Sequence, residues 1–228
     1  MSNLPCIVFD CNETLLDLET MTPIFLRLFG DKSAMRLWFQ NLITYSQALT
    51  ITAHYEPFTD IGGAVLQMMA DARRVKITAE DRRELTDKFA TMPPYPDVAG
   101  GLKKLKTAGF RLFTLTDNTA QISGRQLENG KLLEYFERRF SVDDESRHHK
   151  PAPEAYAAVT RALQVPADGM CMVACHTWDT MGASAAGWNT ALIRRVGNEV
   201  LDVAAQPQFV GADLNGVADQ LIARYGTA

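Results

Sequence analysis

Four short segments carry side chains that together suit a displacement at carbon: residues 10–15 (DCNETL), Thr116-Asp117-Asn118, His149-Lys150-Pro151 and residues 174–179 (ACHTWD). Asp10 is the natural nucleophile. A carboxylate needs no deprotonation at neutral pH, and an aspartyl ester divides one difficult displacement into two easier steps. A lone aspartate after a strand is as readily a turn or N-cap residue, so the argument for chemistry rests on the other three segments following in order. Lys150 precedes a proline that sets a turn, and its ammonium beside Asp10 would hold the carboxylate ionised and oriented. Asp179 suits the first turn of a helix, where it complements the macrodipole, and equally suits holding Lys150 or a water.

These residues must be delivered to one place. Short apolar runs recur at Cys6–Phe9, 110–115, Met170–Ala174, 190–193 and around Phe209–Gly211, and each is followed by polar or turn residues. Helical periodicities lie between most of them, over 98–108, 119–129, Pro153–Leu163, 178–187 and Leu214–Tyr225. The alternation predicts an α/β fold, with βαβ crossovers, a parallel sheet and a ligand site off the carboxyl ends of the strands. Residues 17–92 break it, with no convincing strand and several amphipathic patterns, such as Leu37, Asn41, Tyr45 and Leu49 with Leu42 and Ser46 beside them. Met92-Pro93-Pro94-Tyr95-Pro96 closes this stretch and cannot continue a helix. The expected organisation is a core of 1–16 and 96–228 with a helical cap of 17–95, placed to act as a lid that excludes water.

With 46% hydrophobic and 22% charged residues in 228, the chain has the composition of an ordinary globular protein. Its net charge of -4 comes from 27 acidic and 23 basic residues without a basic run, which argues against a nucleic-acid partner. No signal peptide and no apolar stretch of membrane-spanning length is visible, so a cytoplasmic protein without a membrane partner is expected. Cys6, Cys11, Cys171 and Cys175 show no paired metal spacing and read as buried reduced thiols.

The DxxxT of Asp10 and Thr14, the Thr116 that ends the second run, Lys150-Pro151 and the Trp178-Asp179 pair resemble the haloacid dehalogenase superfamily over nearly the whole chain. Within it the sequence is most similar to the type II (S)-2-haloacid dehalogenases. Lys150 with Tyr156 matches their KPxxxxY, Gly182-Ala183 follows the WD pair, and Phe58 matches a cap aromatic. The resemblance implies a Rossmann-like core, a helical cap, no metal or other cofactor, a small carboxylic-acid substrate and a homodimer. It also implies that Thr14, Thr116 and nearby backbone amides bind carboxylates, that Phe58 and Trp178 wall the pocket, and that Cys11, Asn12, Asp117, Asn118, Phe39 and Tyr156 border the substrate.

Departures from the family pattern are informative. Asn12 and Glu13 replace a tyrosine and a small residue, Thr116-Asp117 replaces Ser-Asn, and Ala174 and His176 replace a serine and an asparagine. Phe39 stands where the family has the arginine that receives the halide. Glu13 and His176 leave adjacent strand ends, and a carboxylate bonded to one imidazole nitrogen raises the basicity of the other. The pair is therefore expected to activate the water that hydrolyses the Asp10 ester. Without the arginine, Asn12, Asn118 or an arginine elsewhere must meet the departing charge, or the leaving group is not a halide, as in ring opening of azetidine-2-carboxylate. Two further readings remain: a magnesium-dependent phosphatase, disfavoured by Asn12 and Thr180 at positions where that branch carries acids, and a binding protein that kept the fold.

Overall fold

A computed structural model describes residues 4–226. Strand β1 (Cys6–Phe9) is followed by four helices, α1 (Thr22–Phe29), α2 (Ala34–Ile51), α3 (Phe58–Arg73) and α4 (Ala79–Ala90). The chain continues through α5 (Val98–Thr107), β2 (Leu112–Thr116), α6 (Ala120–Asn129), β3 (Arg138–Ser141), the single turn α7 (Val142–Glu145) and α8 (Pro153–Leu163). It ends with β4 (Met170–Ala174), α9 (Thr177–Ala185), β5 (Asn189–Ile193), β6 (Phe209–Gly211) and α10 (Leu214–Tyr225). All strand pairs are parallel, in the order β3-β2-β1-β4-β5-β6.

The sheet is a layer between two apolar clusters, because side chains alternate along each strand. Ile7 and Phe9 of β1 join one cluster with α5, α10 and the inserted helices, while Cys6 and Val8 join the other with Tyr156 and Trp188. A strand buried on both faces reads as a continuous apolar run, which is why β1 and β4 are visible in the sequence. The connection direction reverses at β1, since β2 and β3 lie on one side of it and β4 to β6 on the other. Ligands of such sheets bind in the crevice outside this switch point. The loops after β1 and β4 carry residues 10–14 and 175–179 to it.

The chain segments entering and leaving the helical insertion run side by side. The Asp17 amide donates to the Pro93 carbonyl at 2.8 Å, and the Tyr95 amide to the Leu15 carbonyl at 3.0 Å. We propose the boundary between core and cap here, at residues 16/17 and 95/96. Two local expectations change. Strand β3 carries no apolar signature, because Arg138 and Arg139 are exposed on an edge strand and only Phe140 and Ser141 turn inward. On α2 the buried stripe is Ala34, Met35, Trp38, Phe39, Leu42 and Ser46, so Leu37 and Tyr45 face outward. Among the described residues no helix is long and apolar enough to cross a membrane.

Candidate active site

Asp10 is buried at the end of β1, and three of its neighbours donate to or face its two oxygens. Lys150 Nζ lies 2.9 Å from Oδ1, and Thr14 Oγ1 donates to Oδ2 at 2.6 Å. The same Thr14 oxygen accepts from the Cys175 amide at 2.9 Å, tying Asp10 to the loop after β4. Lys150 Nζ donates to Asp179 Oδ2 at 2.6 Å and to the Leu115 carbonyl at 3.2 Å, which uses all three of its protons. Tyr156 donates to Asp179 Oδ1 at 2.7 Å. Asp179 thus holds Lys150, and Tyr156 holds Asp179.

Glu13 and His176 do meet. Glu13 sits in the left-handed region at φ 62°, a conformation that costs a non-glycine residue roughly 1–2 kcal/mol. This aims its carboxylate across the strand ends, where Oε2 is 2.9 Å from His176 Nε2. The other ring nitrogen, Nδ1, is 3.3 Å from Asp10 Oδ2. It is off line for a hydrogen bond and has no other partner. The ring stacks on Trp178 with centroids 4.9 Å apart and is flanked by Phe39 at 5.8 Å. Glu13, Arg36, Phe39, His176 and Trp178 line a cleft of about 880 Å³.

Electrostatics separate the roles. Burial would raise the Asp10 carboxyl, but the Lys150 ammonium, then His176 and Thr14, hold it well below the usual carboxylate range. Burial would lower the Lys150 ammonium, and the Asp10 and Asp179 charges raise it instead. Burial pushes the Asp179 carboxyl up against the pull of Lys150. The group kept ionised is therefore the proposed nucleophile. Burial would also lower the His176 imidazole, but the adjacent Cys175 sulfur and the Asp10 carboxylate outweigh it and lift it to about 10. With Asp10 ionised, His176 rests as an imidazolium.

Residues 7–193 match the model of the family described as haloacid dehalogenase-like hydrolase. The chain belongs to that family. It is 29% identical over 210 residues to (S)-2-haloacid dehalogenase 1 of Pseudomonas sp. (strain CBS-3), covering 91% of this chain and 92% of the relative. The crystal structure of the L-2-haloacid dehalogenase RSc1362 superposes with a TM-score of 0.90 at 26% identity, covering 97% of this chain and 99% of that one. A dehalogenase solved with an intermediate complex superposes at 0.88 with 25% identity over the whole of both chains. The protein is thus a hydrolase similar to (S)-2-haloacid dehalogenases.

Other residues expected at the site of this haloacid dehalogenase-like hydrolase have different surroundings. Asn12 Oδ1 accepts from Asn118 Nδ2 and Gln126 Nε2, both at 3.1 Å, so these amides engage one another instead of waiting for a leaving group. Asp117 Oδ1 accepts from the Lys150 amide at 2.9 Å and faces His149 Nδ1 at 3.2 Å. Thr116 Oγ1 accepts from the Asn118 amide at 3.2 Å. Tyr156 is buried behind Asp179, and Gly182 allows this, because a Cβ there would lie 2.5 Å from the Tyr156 hydroxyl. Cys11 is buried, and burial pushes its thiol up to about 12. Phe58 packs in the insertion against Phe89 and His149 and does not line the cleft that Trp178 borders.

Three residues were not singled out in the sequence. Arg36, one turn before Phe39 on α2, reaches the cleft mouth and pairs with Glu13 and Glu19 while donating to the Val196 carbonyl at 3.2 Å. Its only signal was the i, i+3 spacing to Phe39. Gln126 closes the amide cluster from α6. Arg195 fixes the first loop, donating to the Thr14 carbonyl at 2.9 Å and pairing with Asp97. Among the described residues, Asp10, Cys175 and His176 bring ligand atoms within 4.8 Å of one another. A magnesium ion prefers oxygen ligands, and it would face the Lys150 ammonium there. This donor set does not fit it.

Proposed function

We propose that the enzyme removes halide from a small 2-haloalkanoic acid through an ester on Asp10, giving a 2-hydroxy acid without a metal. The observation that carries this reading is the ionised Asp10 held 2.9 Å from Lys150, with the unpartnered Nδ1 of a Glu13-bound histidine 3.3 Å away. An Asp10 oxygen forms a bond to the substrate α-carbon, and the carbon–halogen pair leaves with the halide. Esterification removes the Asp10 charge, so His176 loses an anionic neighbour and releases a proton through the cleft. Neutral His176 then takes a proton from water as its oxygen attacks Cγ. The ester bond breaks, and the second water proton leaves on the product hydroxyl.

Halide release from (S)- and (R)-2-chloropropionate and from haloacetates, with EDTA present, tests this reading. Release from one 2-chloropropionate enantiomer is the expected result. Silence with all of them, together with turnover of phosphate esters when magnesium is added, would overturn it. The resting imidazolium favours a second reading, since it carries a proton that a basic leaving group needs and chloride does not. Azetidine-2-carboxylate therefore belongs in the same assay, with the ring-opened amino hydroxy acid as the product sought.

A departing halide needs a cation or dipoles to receive its charge, and with Phe39 in the family arginine's place we assign this task to Arg36. Arg36→Met is expected to lower kcat/KM for halide release at least about tenfold, the scale of one lost charge-assisted hydrogen bond. The rate of ester hydrolysis should fall less, because Glu13 loses its Arg36 partner but keeps its bond to His176. Unchanged kcat/KM would move the assignment to the His176 imidazolium.

A further inference from the structure

His149 is buried and takes no part in the steps above. Its Nδ1 lies 3.2 Å from Asp117 Oδ1 and its Nε2 3.0 Å from the Glu56 carbonyl oxygen. Both partners only accept. A neutral imidazole has one N–H and would leave one of these contacts as two acceptors facing each other, whereas an imidazolium donates to both. The acceptors belong to different parts of the fold: Glu56 stands at the turn into α3 of the insertion, and Asp117 at the end of β2. The His149 amide donates to Thr50 Oγ1 of α2 at 3.0 Å, and the Asp117 oxygen that faces the ring also accepts the Lys150 amide at 2.9 Å. Tyr55 of the insertion stacks on the imidazole at 4.9 Å and 17°.

We propose that the His149 imidazolium is a positioning residue that fastens the helical insertion to the turn carrying Lys150 and so seats the ammonium against Asp10. A surface histidine in a loop would have no reason to meet acceptors from both sides. The charged groups around it favour the cation. Asp117 touches the ring, and Asp143 on α7 accepts from the Tyr55 hydroxyl at 2.7 Å. The Arg147 guanidinium is 4.5 Å over the far Tyr55 ring, Lys150 is the next residue but points to Asp10, and the Glu56 carboxylate is turned to His54. Burial would lower the imidazole, and the Asp117 contact raises it above 6.5. Since the folded value lies above the unfolded one, the contribution to stability is complete below the ordinary value of 6.5 and is lost as pH rises through the folded value.

The test is a proton–nitrogen NMR titration of the histidine rings in the intact protein, which holds four histidines. At neutral pH both His149 ring nitrogens should carry protons, and protection of the Lys150 amide should fall as the ring titrates. His149→Gln, whose donor hydrogens sit on one nitrogen while its oxygen would face the other acceptor, should speed exchange of the Lys150 amide roughly ten- to hundredfold. It should also remove the corresponding alkaline step from the kcat/KM profile. Should that variant fail to fold, Asp117→Asn keeps an acceptor for the Lys150 amide but removes the charge, and it should lower the His149 titration. A neutral His149 tautomer at neutral pH, or a titration that Asp117→Asn leaves unmoved, would overturn the proposal. The ring titration needs no substrate, so it stands apart from the assignment of the leaving group.

Discussion

Replacing Asp10 by asparagine is expected to abolish turnover, with kcat falling roughly 10⁴-fold or more, the scale seen when a covalent nucleophile is removed. The carboxamide is nearly isosteric: its oxygen can still accept from Lys150 and its NH2 can donate to Thr14 Oγ1, so the fold should persist. What disappears is the anionic oxygen that forms the bond to carbon. It also removes one of the two carboxylates that share Lys150, the other being Asp179 at 2.6 Å, so the ammonium should titrate lower in the variant. Single-turnover mass spectrometry checks the point directly. Wild type should gain the mass of the substrate carboxyalkyl group on a peptide containing Asp10, and Asp10→Asn should gain none. Substantial residual turnover without an adduct would mean that water attacks the substrate directly.

Replacing His176 by asparagine should separate the two half-reactions. In the proposed mechanism ester formation uses Asp10 and Lys150, whereas ester hydrolysis uses a base beside Cγ, and the nearest unpartnered nitrogen is His176 Nδ1. A burst of about one equivalent of leaving group should be followed by a stall, because losing a general base slows its step roughly 10²- to 10⁴-fold. Glu13→Gln should give a milder form of the same defect, since the amide orients the ring without adding basicity. The pH dependence has a definite sign. In the free enzyme His176 is lifted to about 10 by Cys175 and Asp10, and the ester removes the Asp10 contribution and so lowers the imidazole, while Cys175 stays beside it. Hydrolysis needs the neutral ring, so the ester should break down faster as pH rises and level off above that lowered value. Rapid-quench rates across pH measure this, and a flat profile would assign the water to another group.

The meeting of Glu13 with His176 was legible because both residues follow buried strands that pair in the sheet, and strand ends that pair cannot lie far apart. Thr14 lies in the same loop as Asp10, whereas Lys150 comes from the turn after α7, beyond a strand that does not pair with β1. The destination of Asp117 was not legible. A short carboxylate beside an active-site turn serves substrate or backbone equally well in sequence, and only the path of the chain through His149 and Lys150 decided for the backbone. The surroundings of Phe58 were not legible for a similar reason. An aromatic residue in an insertion packs wherever the helices leave a space, and here that space is beside Phe89 and His149.

By itself the sequence determined the alternation of strands and helices, the run of helices after β1 and the meeting of Asp10 with Lys150. These follow from local apolar patterns, and from the rule that a parallel sheet collects the residues after its strands along one edge. Tertiary structure decided the rest. It made an exposed pair of arginines into the edge strand β3, because pairing with β2 outweighs local composition. It turned α2 so that Trp38 and Phe39 are buried, and this rotation brought Arg36 to the mouth of the cleft. A helix with apolar residues on several faces does not specify which face it buries. That choice belongs to the surface it packs against, and here it sets which cation stands at the entrance to the site.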